Sequence, residues 1–161
     1  MSLNLPSLLL WGFAATIALT TVMAASQGLG LSRMSIPFML GTMLTPHRDR
    51  AMLLGSLFHV ANGWAFALVY AGAFESWGRA TWWLGAAIGA VHASFVLTVG
   101  MAMLPGLHPR MASEHIAPPA AAQLQPPGFL ALNYGERTPL VTLAAHLLYG
   151  SILGAFYRLS V

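Results

Sequence analysis

Four long runs of apolar residues, separated by shorter polar segments, set the pattern of the chain. The runs cover about residues 8–28, 51–74, 80–104 and 138–157. Each has close to the ~20 predominantly apolar residues that a helix needs to cross the hydrocarbon core of a bilayer. No run alternates apolar and polar residues with the period of two that a barrel strand requires. The pattern therefore predicts an all-α, membrane-embedded bundle of four transmembrane helices, formed as a single domain over residues 1–161.

A shorter apolar stretch follows the first run, at residues 34–45. It is too short to cross a membrane, and Pro37 and Gly41 interrupt it. Segments of this kind lie in the interface or re-enter the bilayer a little way. We therefore predict a short interfacial segment between the first and second transmembrane helices.

The segment between the third and fourth runs, residues 105–137, is predicted to be a long proline-rich loop. Seven of the ten prolines lie between Pro105 and Pro139, and loops of this length without periodicity are either functional or disordered. The piece PPGFLALNYG, at residues 126–135, is rich in apolar side chains. We expect that piece to pack back onto the bundle or onto the membrane surface.

Composition agrees with a membrane location and excludes several other classes of protein. Apolar residues make up 57% of the chain and charged residues only 7%, whereas about a quarter of a soluble domain is charged. The absence of cysteine excludes a disulfide scaffold. The basic residues are scattered arginines rather than a basic stripe, so no nucleic-acid partner is expected.

The distribution of arginine predicts how the helices are oriented. Five arginines lie in the segments that follow the first and third runs: Arg33, Arg48, Arg50, Arg110 and Arg137. Two lie on the opposite side, Arg79 and Arg158. Because positive charge accumulates on the cytoplasmic side of membrane proteins, the N- and C-termini are predicted to lie outside.

Small residues recur at helical spacing inside the predicted spans. GxxxG pairs occur in the third and fourth runs, at Gly85 and Gly89 and at Gly150 and Gly154. Such pairs let helix backbones approach closely within lipid. We therefore predict that these glycines lie at helix–helix contacts of the bundle.

Histidines and other polar side chains share the faces of the predicted helices. They are His59 and Asn62 in the second, His92 in the third, and His146 and Tyr149 in the fourth. Neutral imidazole is a common ligand of transition metals, and two histidines on facing helices can hold haem b. An intramembrane histidine can also relay protons, or it can simply form hydrogen bonds between helices. The sequence leaves these interpretations open.

A second polar cluster lies in the loop after the third run. It consists of His108, Arg110, Glu114 and His115, which are close together in the chain. Arginine and histidine could bind a lipid phosphate or a metal ion there, whereas Arg–Glu contacts would simply anchor the loop at the headgroups. No hydrolase, metalloprotease or nucleotide-binding motif accompanies the cluster, so no enzymatic activity is expected.

Four stretches of the chain are distinctive as strings. They are RMSIPFMLGTMLTPHRDRA (33–51), ATWWLGAAIGAVHA (80–93), HPRMASE (108–114) and PPGFLALNYGERTPL (126–140). Through them the chain resembles a family of small, uncharacterised four-helix proteins of the bacterial inner membrane. The resemblance implies the four-helix fold and an inner-membrane location. It implies no activity, substrate or ligand residue.

Together these patterns predict a non-enzymatic integral membrane protein that serves as an accessory or structural subunit of a larger membrane complex. Its expected partners are the lipid bilayer and other membrane subunits, or further copies of itself. The alternative is a haem- or metal-binding membrane protein that uses the intramembrane histidines, and the third hypothesis is a small oligomeric transporter or channel. No Asp or Glu lies inside a predicted span, which disfavours proton-coupled transport.

Overall fold

The computed structural model describes residues 2–112 and 124–160, and helices dominate both parts. The α-helices of these residues are α1 (Leu5–Gly28), α2 (Ile36–Leu44), α3 (Arg48–Trp77), α4 (Trp82–Phe95), α5 (Met101–Leu107) and α6 (Thr138–Phe156). A π-helical turn, Val96–Gly100, joins α4 to α5, and a 3-10 helix, Phe129–Tyr134, precedes α6. No strand forms among the described residues, where Met111 and Leu124 make an isolated bridge.

Four helical segments are long and apolar enough to cross a membrane: α1, α3, α4 through α5, and α6. The predicted all-α fold with four spans is therefore confirmed. α3 is longer than the second predicted span, because it begins at Arg48 and continues to Trp77. The extension brings Asp49 and Glu75 into the helix, although the sequence pattern placed no carboxylate inside a span.

The end of α3 is determined by Gly78 rather than by hydropathy. Gly78 has a left-handed φ of 59°, which glycine adopts without the steric penalty of a Cβ atom. The N–H of Gly78 donates to the carbonyl of Glu75 at 3.3 Å, and that of Arg79 donates to Phe74 at 3.0 Å. This Schellman arrangement satisfies carbonyls that a helix end otherwise leaves unpaired.

The chain folds into two compact units, and each spanning segment contributes to both. The first unit comprises Met1–Val22, Val60–Ala93 and Leu143–Val161, and the second comprises Met23–His59 and Ser94–Thr142. The first unit is therefore built from parts of α1, α3, α4 and α6. The second contains all of α2, the π-helical turn, α5 and the 3-10 helix.

In the first unit, α4 and α6 meet backbone to backbone. A methyl group built on Gly85 would overlap the carbonyl of Gly150, and one built on Gly154 would overlap that of Thr81. A methyl group on Gly89 would overlap the carbonyl of His146. Small residues allow this close approach, from which helix association in lipid draws its van der Waals contact.

α1 and α3 also pack closely in the first unit. Thr16 lies so close to Gly63 that a side chain at Gly63 would overlap it, and Gly12 lies against Trp64 and Ala67. The buried hydroxyl of Thr16 donates to the carbonyl of Gly12 at 2.7 Å, so it leaves no unpaired polar group in the contact. The sequence has no GxxxG pair at this contact. The side chain of Thr16 on α1 instead fills the space next to Gly63 on α3.

In the second unit, α2 lies against the first turns of α3 as an antiparallel helical hairpin. A methyl group at Gly41 would overlap the carbonyl of Ala51, and one at Gly55 would overlap that of Pro37. Leu44 is the one exposed residue of α2. The segment predicted to be interfacial, residues 34–45, is thus a short helix that is packed on most of its surface.

The region predicted to be a proline-rich loop begins and ends with helical structure. α5 contains Pro105, and in the π-helical turn before it the N–H of Met101 donates to the carbonyl of Val96. The 3-10 helix packs against both the π-helical turn and α5. The apolar piece at residues 126–135 therefore lies back on the helices of the second unit.

We expect Gly85→Ala to lower the free energy of unfolding, because its methyl group would push against the Gly150 carbonyl. Overpacking of this kind typically costs about 1–3 kcal/mol. Gly72→Ala is the matched control, since nothing lies within 4 Å of a Cβ atom built there and alanine favours a helix by up to about 1 kcal/mol. Unfolding in detergent measures both variants, and equal stabilities would contradict the α4–α6 contact.

Candidate functional site

Two histidines form the centre of a polar cluster in the first unit. His92 on α4 and His146 on α6 face each other with ring centroids 4.6 Å apart and ring planes at 84°. Gly89, one helical turn before His92, packs against the backbone carbonyl of His146. The close contact between α4 and α6 therefore brings the two imidazole rings together.

Two tyrosines extend this cluster. The hydroxyl of Tyr70 lies 3.3 Å from Nδ1 of His92, and the hydroxyl of Tyr149 donates to the carbonyl of Gly63 at 2.6 Å. The two tyrosine rings meet edge to face with centroids 5.4 Å apart, and both side chains are buried. Tyr70 was not among the predicted site residues, although it lies two helical turns after Gly63 on the same face of α3.

The other predicted members of the cluster lie on α3. Asn62 is half-buried and directly precedes Gly63, whose carbonyl accepts the bond from Tyr149. His59 belongs to the second unit. The structure thus pairs His92 with His146, while a cluster of all three histidines remains a prediction.

The distance between the two histidine rings shows whether a haem would fit between them. An iron held axially by two imidazoles lies between them, and with metal–nitrogen bonds of about 2 Å the ring centroids would be roughly 6 Å apart across the porphyrin. The rings of His92 and His146 are instead in edge-to-face contact at 4.6 Å, which leaves no layer for a porphyrin. Within residues 2–112 and 124–160, no group of three or more His, Cys, Asp or Glu side chains could hold a metal ion.

Two members of the loop cluster predicted from the sequence, His108 and Arg110, form a second polar site, in the second unit. His108 is buried, and its Nδ1 accepts a hydrogen bond from the N–H of Arg110 at 3.1 Å. Its Nε2 lies 3.0 Å from the carbonyl of Met39 and 3.2 Å from the hydroxyl of Thr42. Because Nδ1 accepts, Nε2 carries the proton and donates to Met39, which identifies the neutral tautomer.

Arg110 completes this site at the end of α2. Its Nη1 donates to the carbonyl of Thr42 at 2.6 Å and reaches that of Met43 at 3.4 Å. The last four carbonyls of a helix have no partner within the helix, and a positive charge at that end is favourable. Arg110 therefore caps α2, while His108 bonds to the carbonyl of Met39 earlier in the same helix. The other two predicted members, Glu114 and His115, lie outside the described residues.

A third polar site, which the sequence pattern did not indicate, surrounds Glu75 in the first unit. Oε1 of Glu75 accepts hydrogen bonds from the hydroxyl of Tyr157 and from the N–H of Ser160, both at 2.8 Å. The Ser160 hydroxyl lies 2.9 Å from Oε2. Tyr157 also accepts a bond from the N–H of Asn4 at 3.2 Å. The carboxylate thus ties both terminal segments to the end of α3.

Tyr157 is well suited to donate to this carboxylate. Burial, together with the hydrogen bond to Glu75, raises the pKa of Tyr157 above its ordinary value, because the phenolate would be desolvated and would repel the carboxylate. The hydroxyl therefore remains protonated at neutral pH. In the sequence, only the position of Glu75 at the polar end of an apolar run pointed to this site. Its partners lie more than 80 residues further along the chain.

Comparisons with protein-family models, with curated proteins and with solved structures find no match for the chain. The three sites differ in what their side chains do. In the first, aromatic and imidazole rings stack and bond to each other. In the second, polar side chains bond to the carbonyls of α2. In the third, they hold the terminal segments.

We expect Tyr149→Phe to destabilise the bundle, because it removes the donor to the Gly63 carbonyl and keeps the ring. Hydrogen bonds between membrane helices are worth about 0.6–2 kcal/mol, so a loss of that size is expected in the free energy of unfolding. Ser56→Ala is the control, since the exposed hydroxyl of Ser56 bonds within its own helix, to Met52. If Tyr149→Phe is as stable as this control, the bond makes no net contribution.

Proposed function

We propose that the protein is a non-enzymatic accessory subunit of a larger membrane complex and that it docks onto its partner through α3. The observation that carries this proposal is the exposure of α3. In its most apolar stretch 11% of the residues are buried, compared with 33% in α1 and 39% in α6. The longest span is thus the one that the protein covers least with its own side chains.

The exposed surface of α3 is not purely apolar. Ser56 is exposed, within one turn of the exposed side chains of Leu53 and Leu57, and Asn62 further along the helix is half-buried. Lipid tails offer no hydrogen bond to an amide, so a polar side chain in hydrocarbon is stabilised by a partner helix. A second membrane chain on α3 would supply both apolar contact and a hydrogen-bonding partner.

The bonding of the polar clusters supports a non-enzymatic role. Tyr149 bonds to a backbone carbonyl and Tyr70 to His92, while His108 and Arg110 bond to the carbonyls of α2. These side chains are engaged in holding the fold. The contact between His92 and His146 favours this role over haem binding, and transport has no comparable observation in its favour.

The proposal places this subunit in the bacterial inner membrane, with both termini outside. The resemblance to small four-helix inner-membrane proteins supports the membrane, and the five-to-two distribution of arginines supports the orientation. Arg48 and Arg50 are exposed at the start of α3, and Arg79 is exposed just after its end. α3 would then begin in the cytoplasm and end at the outer surface.

A photo-crosslinking side chain in place of Leu57 tests the docking surface. Leu57 is 62% exposed on α3, and Val91, which is 70% exposed on α4, is the matched control. Irradiation in native membranes should join Leu57→photoprobe to a second polypeptide of defined mass, while the Val91 variant should label lipid. A product at twice the protein's own mass would show self-association through α3 and would contradict the accessory role. Lipid adducts alone at both positions would refute docking through α3.

Single cysteines test the orientation, because the chain contains no cysteine of its own. Ser2 and His47 are both exposed. With both termini outside, Ser2→Cys should react with a membrane-impermeant maleimide in intact spheroplasts. His47→Cys should react only after the membrane is permeabilised. The reverse pattern of labelling would overturn the topology and leave the fold untouched.

A further inference from the structure

The loop that leads into α6 presents apolar side chains outward from a hydrogen-bonded backbone. We call residues 126–137 the Phe129 loop. Phe129 is 76% exposed, the largest fraction among the exposed large apolar side chains, and Leu132 is 43% exposed. In the same loop Ala131 is fully buried and Tyr134 is buried. The loop therefore has an inner face, packed on the protein, and an outer apolar face.

Hydrogen bonds fix this arrangement. The backbone N–H and the Nδ2 of Asn133 donate to the carbonyls of Pro127 and Pro126, both at 3.0 Å. The hydroxyl of Tyr134 donates to the carbonyl of Gln125 at 2.6 Å. The outward position of Phe129 thus belongs to a defined structure and not to a free tether.

The backbone of the loop is also strained. Leu130 and Ala131 have left-handed φ values of 50° and 61°, and each such residue other than glycine costs about 1–2 kcal/mol. Strain of this kind persists where the surrounding structure compensates for it, and it concentrates at functional surfaces. Here it turns the chain so that Ala131 points inward while Phe129 and Leu132 remain outside.

The Phe129 loop adjoins one end of a helix that is long and apolar enough to cross a membrane. It runs directly into Thr138, the first residue of the spanning helix α6. The hydroxyls of Ser32 and Thr138 are hydrogen-bonded at 2.9 Å, and the N–H of Arg33 donates to the carbonyl of Tyr134 at 2.7 Å. A side chain exposed at this level meets lipid headgroups and the first carbons of the tails, where an aromatic ring is favourable.

Positive charge accompanies the apolar face. Nη2 of the exposed Arg33 donates to the carbonyl of Asn133 at 2.6 Å, which holds the guanidinium against the loop. Arg137 is exposed at the other end of the loop, next to the exposed Glu136. A guanidinium has five N–H donors and matches the geometry of a phosphate, so an arginine anchored by one bond retains donors that can serve a headgroup.

We propose that the Phe129 loop is a binding surface for anionic phospholipid. Phe129 and Leu132 enter the boundary between headgroups and tails of the adjacent leaflet, and Arg33 and Arg137 bind the phosphate groups above them. The apolar side chains supply burial, at about 1.5–3 kcal/mol for a fully buried phenylalanine or leucine. The arginines supply preference for lipids with net negative charge. This surface shares no residue with α3.

Spin labels on the full-length protein test the proposal. Phe129→Cys and Glu136→Cys, in the otherwise cysteine-free chain, are each labelled with a nitroxide and reconstituted in vesicles. One set of vesicles is phosphatidylglycerol-rich and the other is pure phosphatidylcholine. Collision with oxygen reports on the membrane phase, and collision with a water-soluble nickel chelate reports on the aqueous phase.

In phosphatidylglycerol, the label at position 129 should collide mainly with oxygen, whereas the label at 136 should collide mainly with nickel. The preference for oxygen at 129 should fall several-fold in phosphatidylcholine and in the Phe129→Cys/Arg137→Gln protein. Equal access of nickel to both labels would overturn insertion. A label at 129 hidden from both reagents would indicate a protein contact instead, and insertion that is indifferent to lipid charge would refute anionic recognition.

Discussion

The close approach of the α4 and α6 backbones is the contact on which the first unit depends. It exists because Gly85, Gly89, Gly150 and Gly154 carry no Cβ atoms where each helix meets a carbonyl of the other. In lipid there is no hydrophobic drive to bring helices together, so close packing and interhelical bonds must supply the association. The same contact places His92 one turn beyond Gly89 and opposite His146. The packing motif and the polar cluster are therefore one interface.

The second unit depends on a different constraint, the need to satisfy the carbonyls at the end of a short helix. A helix as short as α2 is marginal on its own, and its last carbonyls have no partner within the helix. Arg110, more than 60 residues further along the chain, donates to the carbonyls of Thr42 and Met43. His108 bonds to the carbonyl of Met39, one turn before them. Close backbone contacts of Gly41 and Gly55 attach the same helix to α3. α2 is thus a product of tertiary contacts rather than of its own sequence.

The spans were predictable because hydropathy and length decide whether a helix can cross a bilayer. The GxxxG pairs indicated close helix contacts because small residues let backbones approach within lipid. Contacts between distant residues were not predictable. The bonds of His108 to α2 join positions 66 and 69 residues apart, and no local pattern encodes such pairing. The second apolar run ends before the charged Glu75, whereas the helix continues to Trp77 and is ended by Gly78. Tyr70 shares a polar face with Gly63 in the sequence pattern, but its contact with His92 on another helix has no local signal.

The polar site around Glu75 helps to fix α3, and this affects how the exposed surface of α3 is interpreted. A span with few buried residues could simply be held loosely, in which case its open face would indicate little. α3 is instead fixed within the first unit at two levels: Thr16 and Tyr149 contact it at Gly63, and Tyr157 and Ser160 bond to Glu75 near its end. In the first unit these contacts determine which side chains of α3 face inward and which remain exposed. The uncovered face of α3 is therefore a defined surface, which is what docking of a partner helix requires.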